Sequence, residues 1–553
     1  MWDAKEIEAD QAAMEEAREP FEGMMRDAAI WFLPGHQQFD AMRWTGQHRG
    51  PDMDVRIFDP HAQQSVEQAI SVFEGYVMPR GQVWQRWQLP DPDLMKLRHV
   101  REWVEAKNLR LFGLRNDPKS GFTSQAHQSI ASLLVMGMQS TWPDIRRDVL
   151  GNPAGISYHS DFIGQVYVKT DDQGLVSTIH YAFTMTAEKA AAKWGDDAPE
   201  PVKKAMRDKQ KGATIRFLHV VRPNWQFDPD RLDERGKPWA GCFYCRDNRE
   251  VFKTGGYRAI PRIVSRYTTA PNEDYGRCPA FTVLPAVRAS QQMVQDMILA
   301  SELNAMPPLG AHSDMMDETI RYAAHQVTYG AIDHRGNRKL IPLIEGSDMT
   351  GSMALLERLQ TLIDRAFFVD MLQIRQDLKS HVTDSQLYQR EEEKGILLAP
   401  LANQETEWFS VMLDREIDLM DELGEFDDMP GEVAEALEGG MKLMEVSYDN
   451  GLSRAQEAGA AAGYFRLLEQ FAPIFQKEQG SWQAFTQKYP LEKVLDHLGR
   501  INGVPASWEA TDEERQARAD ADAQAAGMNE LITALPAIGK TAKDLSDAVP
   551  AGA

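Results

Sequence analysis

The chain has 553 residues, 43% of them hydrophobic, which allows two to four packed domains. No run approaches ~20 uninterrupted apolar residues, which argues against a membrane-spanning helix. The net charge of −23 excludes a chain that is basic as a whole, and proteins that grip nucleic acid tightly usually show a basic face.

The first residues, Met1-Trp2-Asp3-Ala4-Lys5-Glu6, have neither a basic n-region nor an apolar h-region, so no signal peptide is expected. Residues 3–34 read as a helix in which Ala12, Ala13, Ala17, Met24, Met25, Ala28, Ala29 and Phe32 interleave with Glu and Arg. Pro34-Gly35 stops it. Residues 36–58 read as loop, with a short strand at Val55-Arg56-Ile57. A second helix covers 60–77, with Val66, Ala69, Ile70, Phe73 and Val77 on one face. A third spans about 91–114. A fourth opens at Ser120-Gly121-Phe122 and runs through Ala126, Ile130, Leu133 and Leu134. Core packing accounts for all four.

From 154 to 270 the apolar period becomes two. Strands are expected around Gly155-Ile156-Ser157-Tyr158-His159-Ser160, Gln165-Val166-Tyr167-Val168-Lys169, 176–183, 214–221, 240–247 and 250–252. Helices are expected at 186–194 and 200–210. The pattern is that of an α+β unit with an antiparallel sheet. Cys242 and Cys245 form a Cys-x-x-Cys pair. With Cys278 they are the chain's three cysteines, a usage that suits a reducing compartment. A zinc ribbon needs a second pair, and residues i and i+3 of a strand point to opposite faces, so both read as structural thiols. The acidic loop 228–234 lacks the glycine and terminal glutamate of a calcium loop. His159, His180 and His219 lie on strands and read as satisfied structural histidines.

The stretch 275–394 has the clearest organisation. A helix is expected at 281–306, with Val283, Leu284, Val287, Met293, Val294, Met297, Ile298 and Leu303 apolar, Pro285 in its first turn and Pro307-Pro308 ending it. A second helix is expected at 353–378. Leu355, Leu356, Leu359, Leu362, Ile363, Ala366, Phe367, Ile374 and Leu378 share one broad face of it. Between the two lie short strand-like and turn-like pieces. Downstream, a helix with Trp408, Met412, Ile417 and Met420 inward is expected over 405–423, then a break at 426–430 and a strand at 441–448 that would return to the sheet of 154–270. Residues 452–503 read as a helical unit, and the tail from 508 as frayed helix and flexible chain.

The words in this stretch carry a resemblance. Tyr257-Arg-Ala-Ile-Pro-Arg-Ile-Val-Ser-Arg-Tyr, followed by Asp274-Tyr-Gly-Arg-Cys-Pro-Ala-Phe-Thr-Val-Leu-Pro, resembles podovirus-type bacteriophage head-to-tail connecting (portal) proteins. Val382-Thr-Asp-Ser-Gln-Leu-Tyr-Gln-Arg-Glu-Glu-Glu-Lys394 is similar to a further segment of that family. Trp31-Phe32-Leu33-Pro34, Phe58-Asp59-Pro60 and Met78-Pro79 to Trp84 are weaker matches in the same order. Cys278 stands where the family usually has glycine, and Gln386 where it usually has glutamate.

The resemblance implies an α+β portal fold whose subunits form a ring. It would comprise a wing (1–280), a stem helix (281–306), a clip (307–352), a second stem helix (353–378) and a tunnel loop (379–385). A wing return (386–450), a helical crown (451–507) and a C-terminal tail (508–553) would follow. The function implied is a channel at one capsid vertex for DNA packaging and ejection. The implied partners are double-stranded DNA, the terminase large subunit, tail adaptor proteins, and the scaffold and major capsid proteins. The ring would be a homo-oligomer, twelve-fold in the family, in a virion assembled in the host cytoplasm, with no membrane partner. Tunnel-loop candidates are Lys379, Ser380, His381, Val382 and Thr383. Lys379, Arg335, Arg338 and Lys339 are the candidates for facing DNA.

No Walker A loop, Gly-x-Ser-x-Gly, His-Glu-x-x-His or dinucleotide fingerprint occurs. Paired carboxylates such as Asp171/Asp172 and Asp427/Asp428 are expected by chance among 83 acidic residues. No catalytic residue, cofactor or metal ligand is therefore assigned. The alternatives are a hydrolase using carboxylates on the sheet unit and another virion scaffold or adaptor protein.

Overall fold

The computed structural model describes residues 2–34, 36, 57–91, 93–148, 150–231, 233–271, 273–311, 331–343, 350–369, 403–438 and 445–448, and scattered positions between 467 and 494. The chain divides into two units, 1–456 and 457–553. In the second, Phe485 is buried, with Tyr489 at 5.1 Å and Phe471 at 6.3 Å between ring centroids. All else below concerns the first unit.

Helix α1 (Ala4–Phe32) starts where the Asp3 carboxylate accepts from Lys5 N at 3.0 Å and ends just before Pro34. It is followed by α2 (His61–Val77), β1 (Gln85–Gln88), α3 (Arg98–Asn116) and α4 (Phe122–Met136). These match the four expected helices, except that the third opens with a separate short turn, Leu94–Lys96. The expected strand at 55–57 falls largely outside the described residues.

Strands β4 (Val166–Thr170), β5 (Val176–Thr186), β6 (Thr214–Pro223), β7 (Trp239–Cys245) and β8 (Glu250–Tyr257) form one antiparallel meander in chain order. Between β5 and β6 come α5 (Ala187–Trp194) and α6 (Glu200–Arg207). The sheet is covered on both faces. Phe183, Phe217 and Cys245 pack under Ala187, Ala190, Trp194, Val202 and Ala205 of those two helices. Ala182, Leu218, Val220, Cys242 and Tyr244 pack under Ile7 and Met14 of α1. Cys242 and Cys245 thus lie on opposite faces, as the strand period requires. Burial raises both thiol pKa values, so neither is a ready thiolate.

A second sheet, β3-β2-β9, joins β2 (Met138–Arg147), β3 (Pro153–Ser160) and β9 (Ile263–Arg266). Where one sheet was expected there are two. Its central strand β2 carries Pro143, which pairs with Tyr158 of β3. Strand β9 pairs only with residues 138–141, so Pro143 has no neighbour on its other side there and its missing N–H breaks no ladder bond.

The largest core joins α1–α4 and the small sheet to α7 (Pro279–Ala305), the end of α8 (Thr350–Ala366) and α9 (Val411–Glu422). A π-turn, Glu405–Ser410, leads into α9, and Trp408, Met412, Ile417 and Met420 point inward as expected. After α10 (Gly431–Glu438), β12 (Glu445–Tyr448) pairs with β1 in a two-stranded sheet, not with the sheet of 154–270. The core also holds a charged knot. Glu416 accepts from Arg115 Nε at 2.7 Å and from the Tyr158 hydroxyl at 2.5 Å, and all three side chains are buried. Burial, with the Glu416 charge beside it, raises the Tyr158 pKa well above the phenol range, so the hydroxyl stays a donor.

Candidate channel elements and their root

Helix α7 begins two residues earlier than expected. Pro279 takes the first turn and Pro285 lies inside the helix. Cys278 is extended and buried, and its Sγ lies 3.2 Å from Val135 O. Close backbone approach in the Tyr-Gly-Arg word occurs at Gly276, where a Cβ would sit 2.1 Å from Gly137 O. Gly137 meets it with φ +80°, so glycine is required on both sides. Arg266, the arginine in the strand word upstream, is buried and pairs with Glu407 at 2.8 Å, while its Nη2 also donates to Gly174 O at 2.6 Å. These family words therefore hold the base of α7 in place.

From that base α7 and α8 form an antiparallel hairpin. Its tip includes β10 (Leu309–Ala311) paired with β11 (Leu340–Pro342). Buried residues of α7 stop at Gln291, and those of the returning helix begin at Ile363. Among the described residues between these two, none is buried. Apolar side chains nonetheless recur there. Ile298, Leu299 and Leu303 are 44%, 49% and 43% exposed, and Met353, Leu355 and Leu362 are 56%, 51% and 46% exposed.

The root is polar. The Gln291 side-chain oxygen accepts from Phe58 N at 2.8 Å and Asp59 N at 3.0 Å, and its nitrogen donates to Asp59 O at 2.6 Å. The Asp59 carboxylate accepts from His61 N at 3.0 Å at the start of α2. Asp364 accepts from Ser65 Oγ at 2.8 Å and lies 2.9 Å from His61 Nε2. Helix α8 ends at Ala366, within the helix expected at 353–378, whose residues 370–378 lie outside the described residues. Phe368 adopts φ +60°, a left-handed turn that leaves Phe367 and Val369 both buried.

Of the four candidate DNA-facing residues, three are described. Asp333 to Asn337 form a tight loop in which the Asp333 carboxylate accepts from Arg335 N and, at 3.3 Å, from Asn337 N. These backbone bonds hold the Asp333 pKa below the usual carboxylate range. Arg335 and Arg338 are exposed and have no ion-pair partner among the described residues, and Lys339 is half-buried beside them. The loop and the hairpin strands thus gather these three cations. Lys379, Ser380, His381, Val382 and Thr383, and the word ending at Lys394, lie outside the described residues.

The other candidates are structural in their contacts. His180 Nδ1 lies 2.9 Å from Gln11 Oε1, and His219 stacks on Phe243 at 4.4 Å. Burial lowers the pKa of each to about 3, so both are neutral. Asp171 accepts from Gln173 N at 3.0 Å and Leu175 N at 2.9 Å within its turn, and Asp428 pairs with Lys107 at 2.6 Å. In the 228–234 loop Asp233 pairs with Arg231 at 2.5 Å. Among the described residues no group of three or more His, Cys, Asp or Glu is placed to hold a metal, and no helix is long and apolar enough to cross a membrane.

Sequence reading missed the root. Its signal was present in Phe58-Asp59-Pro60, a word recognised only as a resemblance, which turns out to receive Gln291.

Known proteins resemble this chain over most of its length. It is 20% identical over 550 residues to the portal protein of Salmonella phage epsilon15, a match covering 97% of this chain and 94% of that one. It is 22% identical over 395 residues to a protein of Bordetella phage BPP-1 named as a probable portal protein, covering 69% of this chain and 68% of the other. The model of the family described as bacteriophage head to tail connecting protein matches residues 4–508. The chain belongs to the bacteriophage head to tail connecting protein family.

Proposed function

We propose that the subunit closes into a ring, twelve-fold by family resemblance, at one capsid vertex, and that DNA passes through its centre during packaging and ejection. The supporting observation is the projecting hairpin. A lone subunit leaves Ile298, Leu299, Leu303, Leu355 and Leu362 about half exposed along the part of the hairpin between Gln291 and Ile363, where none of the described residues is buried. Burying apolar surface is worth about 25 cal/mol per Å², so a row of such side chains favours partners on both sides. A heterologous contact repeated around an axis gives each hairpin two neighbours.

In this reading α7 and α8 are the stem, 307–352 the clip, 379–385 the tunnel loop, and 1–280 with 386–450 the wing. Residues 451–507 are the crown and 508–553 a tail. The clip faces the terminase large subunit during packaging and the tail adaptor afterwards. Scaffold and major capsid proteins surround the ring. Residues 292–369 carry ten acidic and six basic side chains. Repeated around a ring, that excess makes a mildly repulsive lumen through which a duplex slides. Arg335, Arg338, Lys339 and Lys379 then supply weak phosphate contacts.

Negative-stain electron microscopy with light scattering tests the reading. Twelve copies of a 62.4 kDa chain give a ring of about 750 kDa with a central hole. A protein that stays monomeric when concentrated and mixed with its scaffold overturns it, and would return attention to a carboxylate hydrolase.

A further inference from the structure

A run of basic side chains lies on the helical lid of the five-stranded sheet, outside the hairpin segments 279–311 and 331–366. Residues 203–211 hold five basic side chains and one acidic one, in a chain of net charge −23. Helix α6 is divided by its period. Val202 and Ala205 are buried against the sheet, while Lys203, Lys204 and Arg207 are exposed on the opposite side. Arg207 pairs with Glu200 and Lys211 with Glu188. Lys203, Lys204 and Lys209 have no carboxylate within ion-pair distance among the described residues.

The display is rigid. Past the end of α6, Gln210 N donates to Ala205 O at 2.8 Å and Ala213 N to Gln210 O at 2.9 Å. Ala187 N and Glu188 N donate back to Ala213 O and Lys211 O. Lys209 itself has φ +58°, the left-handed position after a helix that glycine normally fills. A lysine there costs roughly 1 kcal/mol more than glycine, so the position keeps a charge at the expense of backbone strain. Lysines are compact point charges on flexible stems, suited to a phosphate backbone of any sequence.

We propose that this face, Lys203, Lys204 and Lys209 on the lid, binds the phosphate backbone of double-stranded DNA lying outside the channel. The portal reading supplies only the choice of DNA over other polyanions. The chemistry is sequence-independent and salt-sensitive.

The test uses the full-length protein and covalently closed circular plasmid, which has no end to thread through a ring. Binding is measured from about 50 to 200 mM salt, the range over which phosphate contacts weaken steeply. The variant is Lys203→Ala/Lys204→Ala/Lys209→Gly, whose glycine relieves the backbone. The expected result is salt-dependent binding by the wild type and a plot of log K against log salt shallower by about three in the variant, with mass unchanged. Equal slopes overturn the proposal, as does a wild type that leaves the plasmid unbound. Binding of polyglutamate but not plasmid assigns the face to an acidic protein and also overturns it. A variant whose assembly mass falls makes the face a contact between copies, which overturns it as well. Light scattering on the same samples reports ring formation separately, so failure of this proposal is distinct from failure of the portal reading.

Discussion

The Asp364 carboxylate accepts a hydrogen bond from the Ser65 hydroxyl at 2.8 Å across 299 residues of sequence. It fastens the end of α8 to α2, while Gln291 fastens α7 to the residues just before α2. Both arms of the hairpin therefore leave the body from one place. Gln291 is the more consequential partner, because it serves two backbone N–H groups and one carbonyl in a buried setting. Each such group left unmet costs about 1–3 kcal/mol, less where water enters. Gln291→Leu is expected to destabilise the first unit by about 2–4 kcal/mol. Ser65→Ala should cost nearer 1 kcal/mol, since Asp364 keeps His61. Denaturant midpoints of the two variants check the order, and equal midpoints would contradict it.

How much of this was legible in the sequence depends on how local each signal is. Helix α1 was legible because its apolar spacing and Pro34 are local. So was the opposed placement of Cys242 and Cys245, which follows from strand period alone. Strand β2 was not. Its Gln139, Ser140 and Thr141 are buried but polar, held by partners such as Ser265, Asp161 and Ser129, so no apolar alternation announces it. Pro143 is a residue that a strand interior normally excludes, and it is accommodated here only because its other side is open. The pairing of β1 with β12 joins four-residue strands from distant parts of the chain, and nothing local specifies it. The apolar period predicts a helix that continues past Ala366, where α8 instead gives way to a turn at 367–369; residues 370–378 of that expected helix lie outside the described residues. Burial of Phe367 and Val369 against the core overrides that period. The hairpin was read correctly as two helices with a strand-bearing insert, but its root needed contacts between Gln291, Asp364 and the start of α2.

Glu416 is the anion of a knot with Arg115 and Tyr158. Removing one partner from a buried ion pair leaves the other charge unpaired, at about 3–5 kcal/mol. Glu416→Leu is therefore expected to abolish soluble folded protein or lower its midpoint severely. Tyr158→Phe removes one hydrogen bond to a carboxylate that retains Arg115, and should cost about 1.5–3 kcal/mol. Expression and denaturation of the pair check the contrast. A mild Glu416→Leu variant would mean that water reaches Arg115.

His219 gives a pH dependence. Desolvation lowers its folded pKa to about 3, with Lys193 and His180 adding to the effect, against an ordinary value of 6.5. Between those values the unfolded chain takes up a proton that the folded chain refuses. Stability therefore falls as pH drops below about 6.5, by up to about 1.4 kcal/mol per unit for one such histidine. His180 acts in the same direction. His219→Phe keeps a ring on Phe243 and removes the titration. The variant should lose less stability than wild type between pH 6.5 and 4.5, whatever its stability at pH 7.5. Parallel curves would show that His219 does not titrate on unfolding.

Under the proposed channel function, substitutions of Arg335, Arg338 and Lys379 should separate assembly from DNA handling. Arg335→Ala/Arg338→Ala removes two exposed cations that have no carboxylate partner among the described residues, so ring mass should not change. The same holds for Lys379→Ala under the tunnel-loop reading. Either variant is expected to alter the yield of packaged DNA or its retention after packaging. Unchanged yield and retention would remove the residue tested from the proposed phosphate contacts.

Assembly itself should respond to the hairpin's apolar residues. Leu299 and Leu355 are each about half exposed in the subunit, so a charge at either position meets water in the monomer and costs its fold little. In a ring the same charge would be buried against a neighbour, where an unpaired carboxylate is penalised by several kcal/mol. Leu299→Asp/Leu355→Asp is expected to leave the denaturation midpoint of the monomer within about 0.5 kcal/mol of wild type. The same variant should fail to reach ring mass in light scattering. Stable rings from this variant would mean that these side chains face the lumen or solvent and that other surfaces close the assembly. A variant that unfolds would mean that they pack within the subunit, which their exposure argues against.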